Sequence, residues 1–265
     1  MSGTRRLAAD LPVDMTGRIY AIVKPILWLA VGVLAIETIV MAFDIRPYYL
    51  PRPSAIALAI MATPGAYISG LWRTFLETAL GFVAGSLFGV LMAIIFHRWN
   101  TLKELFFPLF VVSQTIPVIA FGAVVVLWFG NTLLAKAVIS FYISFLPVTV
   151  NTILGFSAVD PRQVQLMRSF GAGDGQILRR LYLPSALPQL FVALKLASSL
   201  ALVGAIVGEW FGDTTGLGVL LLQAMYNENM VGIWATIVVS ACLGMGLYGI
   251  VSLAERRIVF WGNEQ

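Results

Sequence analysis

Charge is what this sequence has least of. Only 11% of its 265 residues are Asp, Glu, Lys or Arg, 59% are hydrophobic, and the mean hydropathy is +0.90. A water-soluble domain of this length needs far more charge on its surface, so the composition points to an integral membrane protein. Cysteine occurs once, at Cys242 inside an apolar run, which excludes a disulfide within the chain or a cysteine-held metal cluster. Histidine also occurs once; His97 falls in a short basic stretch and reads as a solvated side chain rather than a ligand. That leaves no converging acid, base or metal set, hence no catalytic residues and no metal site. There is no Gly-Lys pair and therefore no phosphate-binding G-x4-G-K-[ST] loop. If ATP drives this protein, another chain binds it. The net charge of +4 does not require nucleic acid, because the distribution of the basic residues explains it better.

What is there is a set of long apolar runs. They predict six spans, at about 25–43, 71–96, 105–129, 133–158, 188–210 and 231–254. With the N-terminus inside, the cytoplasmic pieces hold Arg5, Arg6, Arg18, Lys24, Arg98, Lys103, Arg162, Arg168, Arg179, Arg180, Arg256 and Arg257. The outer side keeps Arg46 and Arg52, with Arg73 and Lys136 at span edges. This bias places both termini and the 160–187 loop in the cytoplasm. The organisation follows: a tail over 1–19, a permease domain over 20–257 and a tail over 258–265. The first run is too long for a cleaved signal peptide and should stay as an anchor.

Small and polar residues punctuate the spans. Gly81, Gly85 and Gly89 form a G-x-x-x-G stripe, and Gly204, Gly208 and Gly212 repeat the spacing; both predict close helix approach in a packed bundle or dimer. Gly244, Gly246 and Gly249 have the spacing of a dinucleotide fingerprint but follow no strand, so they read as a packing face. The third span is interrupted by Pro108 and Pro117, with Ser113, Gln114 and Thr115 near mid-depth. Broken helices of this kind line protein or a water-filled cavity. Glu37 near the outer end of the first span either marks a polar path or reaches the interface. Ser54, after Pro51 and Pro53, can cap a short helix.

The stretch 160–188 interrupts this apolar chain. Asp160-Pro161 is a helix start, Gln163 stands at a capping-box position, Gly171 is a left-handed C-cap and Asp174 can cap a second helix. Pro184 and Pro188 should end that second helix near Leu183. The first helix has an apolar face of Val164, Leu166, Met167 and Phe170, and a loop that merely joined two spans would need only a few residues.

From Gly171 nine residues lead to Leu181-Tyr182-Leu183-Pro184. This resembles the E-A-A-x3-G-x9-I-x-L-P loop of the permease subunits of bacterial ATP-driven (ABC) importers, with Gln165-Leu166-Met167 in place of the acidic-alanine part. Leu50-Pro51-Arg52-Pro53-Ser54-Ala55, the Pro108-Leu109, Ile116-Pro117 and Trp128-Phe129-Gly130 series, and Ala205 to Gly212 followed by Gly216-Leu217-Gly218 are similar to the branch handling nitrate, sulfonates, taurine and thiamine-pyrimidine-type precursors. The resemblance covers about 20–255. It implies an all-α integral membrane fold, the six-helix type I importer permease (MetI-like), with a coupling helix between the fourth and fifth spans.

It further implies that Gln165, Leu166, Met167, Arg168, Ser169, Phe170, Gly171 and Ala172 dock on an ATPase subunit. That subunit would hold the ATP, so this chain needs no cofactor and is not itself an enzyme. The other implied partners are a second permease copy, an extracytoplasmic solute-binding protein and the lipid bilayer of the bacterial inner membrane. Polar side chains at Gln114, Thr115, Tyr142, Ser198, Ser199 and Glu209 are the expected translocation path. Cyclic vitamin or pyrimidine-type precursors are the first substrate expectation, then sulfonate, taurine or nitrate. A secondary transporter or channel is the alternative. It would carry paired charges at mid-depth and a half-length repeat, and neither is found.

Overall fold

The computed structural model describes residues 15–260, and all regular structure among them is helical. In order the helices are α1 (Met15–Ala42), α2 (Pro53–Ala62), α3 (Pro64–Arg98), α4 (Asn100–Ser113), α5 (Val118–Phe129), α6 (Leu133–Ser157), α7 (Pro161–Ser169) and α8 (Asp174–Ile177). A π-helical segment, Leu178–Tyr182, leads into α9 (Leu183–Glu209), followed by α10 (Leu217–Tyr226) and α11 (Met230–Ile258). Most of the expected tail 1–19 and the last residues of the tail 258–265 lie outside the described residues; α1 already begins at Met15.

Four helices are long and apolar enough to cross a membrane: α3, α6, α8 through α9, and α11. α4 and α5 together would make a fifth, although they meet at 97°. The described apolar part of α1, Leu27–Ala42, is shorter than a span. Side chains such as Leu58, Leu87, Leu127, Trp128, Met245 and Leu253 point out of the bundle uncovered. A bilayer supplies the apolar surroundings that such a surface requires.

The core is α6 held between α3 and α9. Glycine makes this possible, because lipid offers no hydrophobic drive and helices in a membrane associate by close packing. A Cβ on Gly81 of α3 would collide with Ser140 of α6, and one on Gly204 of α9 would lie 2.9 Å from the Ser140 Cα. One residue of α6 therefore separates the two stripes. The stripe in α9 stops at Gly208, because Gly212 lies past the helix end with φ +88°. In the third set a Cβ on Gly244 of α11 would lie 3.2 Å from the Leu202 side chain of α9, whereas Gly246 and Gly249 meet none of the described atoms.

Two proline expectations need correction. Pro108 sits inside α4 without ending it, and the break comes at 114–117. Pro184 and Pro188 do not stop the second loop helix, since Asp174–Glu209 runs on as 36 helical residues. The π segment explains the first of the two, Pro184. The Leu183 N–H donates to the Leu178 carbonyl, five residues back, and this wider turn leaves room for a proline ring where an α-turn would press it on the preceding carbonyls.

α2 also starts differently. Ser54 lies within the helix, and its N–H (3.0 Å) and hydroxyl (2.7 Å) both donate to Glu37 of α1. Glu37 thus caps α2 from a neighbouring helix.

Candidate functional site

Polar chemistry gathers at the two ends of the core and at the α4–α5 bend. At the loop end, the Asp160 carboxylate accepts from the Arg162 N–H at 2.8 Å, with Pro161 first in α7. α7 closes in a Schellman turn. The Ala172 N–H donates to the Met167 carbonyl (3.0 Å) and the Gly171 N–H to that of Arg168 (2.9 Å), with Gly171 at φ +80°. That φ is where a residue without Cβ is at ease. Gln163 adds no capping-box bond to α7; it is at the start of α8 that a glutamine closes the turn, Gln176 accepting from the Gly173 N–H at 3.2 Å. Asp174 is the first residue of α8, not its cap, and pairs with Arg98 of α3 and with Arg168 at 3.4 Å.

Of the expected coupling residues, Gln165, Arg168, Ser169 and Gly171 are exposed and Met167 and Ala172 half-buried. Leu166 and Phe170 stand out at 58% and 83% exposure. Val164 and Met167 turn the other way, toward the bundle; Val164 lines a groove of about 370 Å³ with Ile94, Trp99, Ile177, Leu178 and Tyr182. A short rigid hairpin therefore presents two large apolar side chains among charged ones. His97 is in the last turn of α3 rather than a loop, its ring 4.2 Å from that of Tyr182 and 5.0 Å from that of Phe156.

The α4–α5 bend brings Ser113 and Gln114 together with Tyr142 but leaves Thr115 apart. The Ser113 carbonyl would normally bond the N–H four residues on, but Pro117 has none. The Ile116 N–H (3.1 Å) and the Tyr142 hydroxyl donate to it instead. Gln114 returns the contact by donating to the Tyr142 carbonyl at 2.8 Å, and the Tyr142 ring stacks on Phe121. Thr115 is exposed, its hydroxyl turned to the Val112 carbonyl at 2.7 Å. Ser198 is buried in the core and donates to the Lys195 carbonyl (2.8 Å). Its neighbour Ser199 faces outward, into a cleft of about 400 Å³ with Val192, Lys195, Leu196 and Tyr248. Lys195 is ion-paired there with Glu255 of α11 at 2.5 Å.

Glu209, the remaining path residue, sits in a sealed polar cluster at the far end. Its carboxylate accepts from the Thr74 hydroxyl (2.6 Å) and the Gly218 N–H (2.5 Å), while Thr74 accepts from the Leu217 N–H (2.9 Å). Two side chains from α9 and α3 thus satisfy the first two free N–H groups of α10. Beside them Arg73 pairs with Glu77 at 2.8 Å. Lys136, fully buried, pairs with Asp213 at 2.8 Å and donates to Asn131, whose amide donates to the Gly212 carbonyl.

Burial pushes the Asp213 carboxyl up. The bonds from Lys136 and the Thr214 N–H, with the fields of Lys136 and Arg73, outweigh this and hold it below the usual aspartate range. Sequence reasoning missed Thr74, Glu77, Lys136 and Asp213. The only signal was that charges stood at span edges beside a Gly-Leu-Gly.

A broken apolar helix, a tightly packed three-helix core and a projecting polar hairpin define a membrane permease. Residues 85–260 match the binding-protein-dependent transport system inner membrane component family, and the chain belongs to it, as the permease of an ATP-binding-cassette importer. It is similar to the formylaminopyrimidine transport permease protein ThiX of Halalkalibacterium halodurans, 31% identical over 221 residues, 83% of this chain and 88% of that protein. The putative aliphatic sulfonates transport permease SsuC of Bacillus subtilis is 27% identical, over 81% of this chain and 78% of its own. The taurine transport permease TauC of Escherichia coli is 24% identical, over 89% and 90%. Among solved structures, the inward-facing MetNI methionine ABC transporter superposes with a TM-score of 0.66 at 18% identity, covering 74% of this chain and 98% of that one. At that identity it speaks for the fold alone.

Proposed function

We propose that this chain works as a six-span permease with both termini and the 160–187 loop in the cytoplasm, paired with a second copy. An ATPase subunit docks on Gln165 to Ala172, and an extracytoplasmic binding protein delivers the solute. The observation that carries this reading is the α7 hairpin. Leu166 and Phe170 are apolar, uncovered and held on a helix with a fixed end, which suits a groove on a partner. Rigidity matters because a flexible linker would absorb motion instead of passing it on.

The solute path on this reading runs by Gln114, Thr115 and Tyr142 at the bend and by Ser198 and Ser199 on α9, with Glu209 at its outer end. These are uncharged hydrogen-bonding groups apart from Glu209, whose carboxylate is engaged with Thr74 and Gly218. A pyrimidine-type or other cyclic vitamin precursor is the first substrate choice, supported by the similarity to ThiX; sulfonate, taurine or nitrate come next.

The test is uptake into proteoliposomes holding this chain, the ATPase subunit and the binding protein. ATP-dependent uptake of a formylaminopyrimidine, unaffected by collapsing ion gradients, is expected. Uptake that follows an ion gradient without ATP would support a secondary transporter instead. Taurine uptake in place of the pyrimidine would move the substrate and leave the class.

A further inference from the structure

The α7–α8 loop is joined through the chain to α6 and α9 only. Its side chains add a third connection. His97, in the last turn of α3, lies against Tyr182 of the π segment and Phe156 of α6, at ring separations of 4.2 and 5.0 Å. Phe156 and Tyr182 also meet edge to face, at 6.0 Å. Beneath the rings Ala93 of α3, Phe156 of α6 and Ala186 of α9 form one buried apolar cluster. The approach is close, for a Cβ on Gly155 would stand 2.7 Å from the Ala186 Cα. One residue further along α3, Arg98 pairs with Asp174 of α8. That pair is exposed and contributes little by itself; it fixes the orientation of α8 against α3, while the rings supply the contact.

We propose that His97 is a positioning residue for energy coupling. It clamps the loop end of α3 to Tyr182 and Phe156, so that α3, α6 and α9 move with the loop as one body. Without it, α3 would follow the loop only through its packing on α6 and α9, with no direct hold on the π segment. The proposal rests on the loop being the ATPase contact, as argued above.

Its test is His97→Ala in the reconstituted complex, reading hydrolysis and uptake separately. ATPase binding and hydrolysis stay near wild type, uptake per ATP falls roughly tenfold, and His97→Phe, which keeps a ring there, restores most of it. An unchanged ratio in His97→Ala overturns the proposal. So does loss of the complex that His97→Phe cannot rescue, which would make His97 an assembly residue.

A second measurement does not depend on the alanine variant folding. In a Cys242→Ser background, His97→Cys and Tyr182→Cys are bridged by a short bis-maleimide. A clamp that holds through the cycle keeps its uptake when bridged; loss of uptake shows that the two ends part, and sinks the idea. Failure of the loop reading looks different, because Phe170→Asp would then leave ATPase binding and uptake intact. The clamp would fall with it.

Discussion

The two ends of α9 are opposites. At the far end, Lys136 and Glu77 are sealed from solvent and every cation has a carboxylate beside it. At the loop end, the Arg98–Asp174 and Arg168–Asp174 pairs lie open, and the largest apolar side chain of the hairpin, Phe170, is uncovered. Buried pairs are costly to break and exposed ones cheap. The far end is thus built to hold α10 in place, and the loop end to be completed by something else. One helix, 36 residues from Asp174 to Glu209, joins them, roughly 54 Å at 1.5 Å per residue.

The largest effect is expected from Phe170→Asp, which should abolish ATPase association and uptake. Because the side chain is exposed, stability should shift by no more than about 0.5 kcal/mol. Co-purification of the ATPase subunit and thermal unfolding in detergent check the two halves; a full complex with normal uptake would erase the contrast between the ends.

Lys136→Met should do the reverse. It leaves Asp213 with only Arg73 at 3.8 Å and the Thr214 N–H, and should destabilise the protein by about 3 kcal/mol, seen as a lowered unfolding temperature, while the double variant with Asp213→Asn regains much of the loss. Thr74→Val comes next. It removes the hydroxyl bonded to Glu209 and to the Leu217 N–H, about 1–3 kcal/mol, and hydrogen exchange should quicken at the start of α10 before anywhere in α6.

The smallest effect is in pH. The folded Asp213 carboxyl lies below its ordinary 3.8, so its contribution is present above that value and lost as the pH falls through the lower folded one. Unfolding profiles of the wild type and Asp213→Asn should therefore be furthest apart above about pH 3.8 and draw together as the pH falls further below it.

The sequence displayed the loop end better than the far end, for a physical reason. Helix starts, a left-handed glycine and an apolar stripe are written in neighbouring residues, so Asp160, Gly171 and the Leu166–Phe170 face were readable locally. The partners of the far cluster are separated by 135 residues for Thr74 and Glu209, and no spacing rule links them. Gly81 and Gly204 announced close packing but not that both would meet Ser140. The α4–α5 break was legible from Pro117 and its polar neighbours, whereas its right angle depends on Tyr142 from another helix. His97 is exposed, as its basic surroundings suggested, but nothing near it in the chain foretells its ring contact with Tyr182.

The π segment Leu178–Tyr182 carries one further consequence, for insertions and deletions. Each residue of an α-helix turns the chain by about 100°, and a π turn holds one residue more than an α turn would. Deleting a single residue there would return the segment to ordinary α-helix with α8 and the hairpin nearly in register, because the π turn had already absorbed the extra residue. The Pro184 ring would then meet the preceding carbonyls that the wider turn now clears. The damage of such a length variant would thus stay at this one turn, beside His97, and the buried far end would register no change.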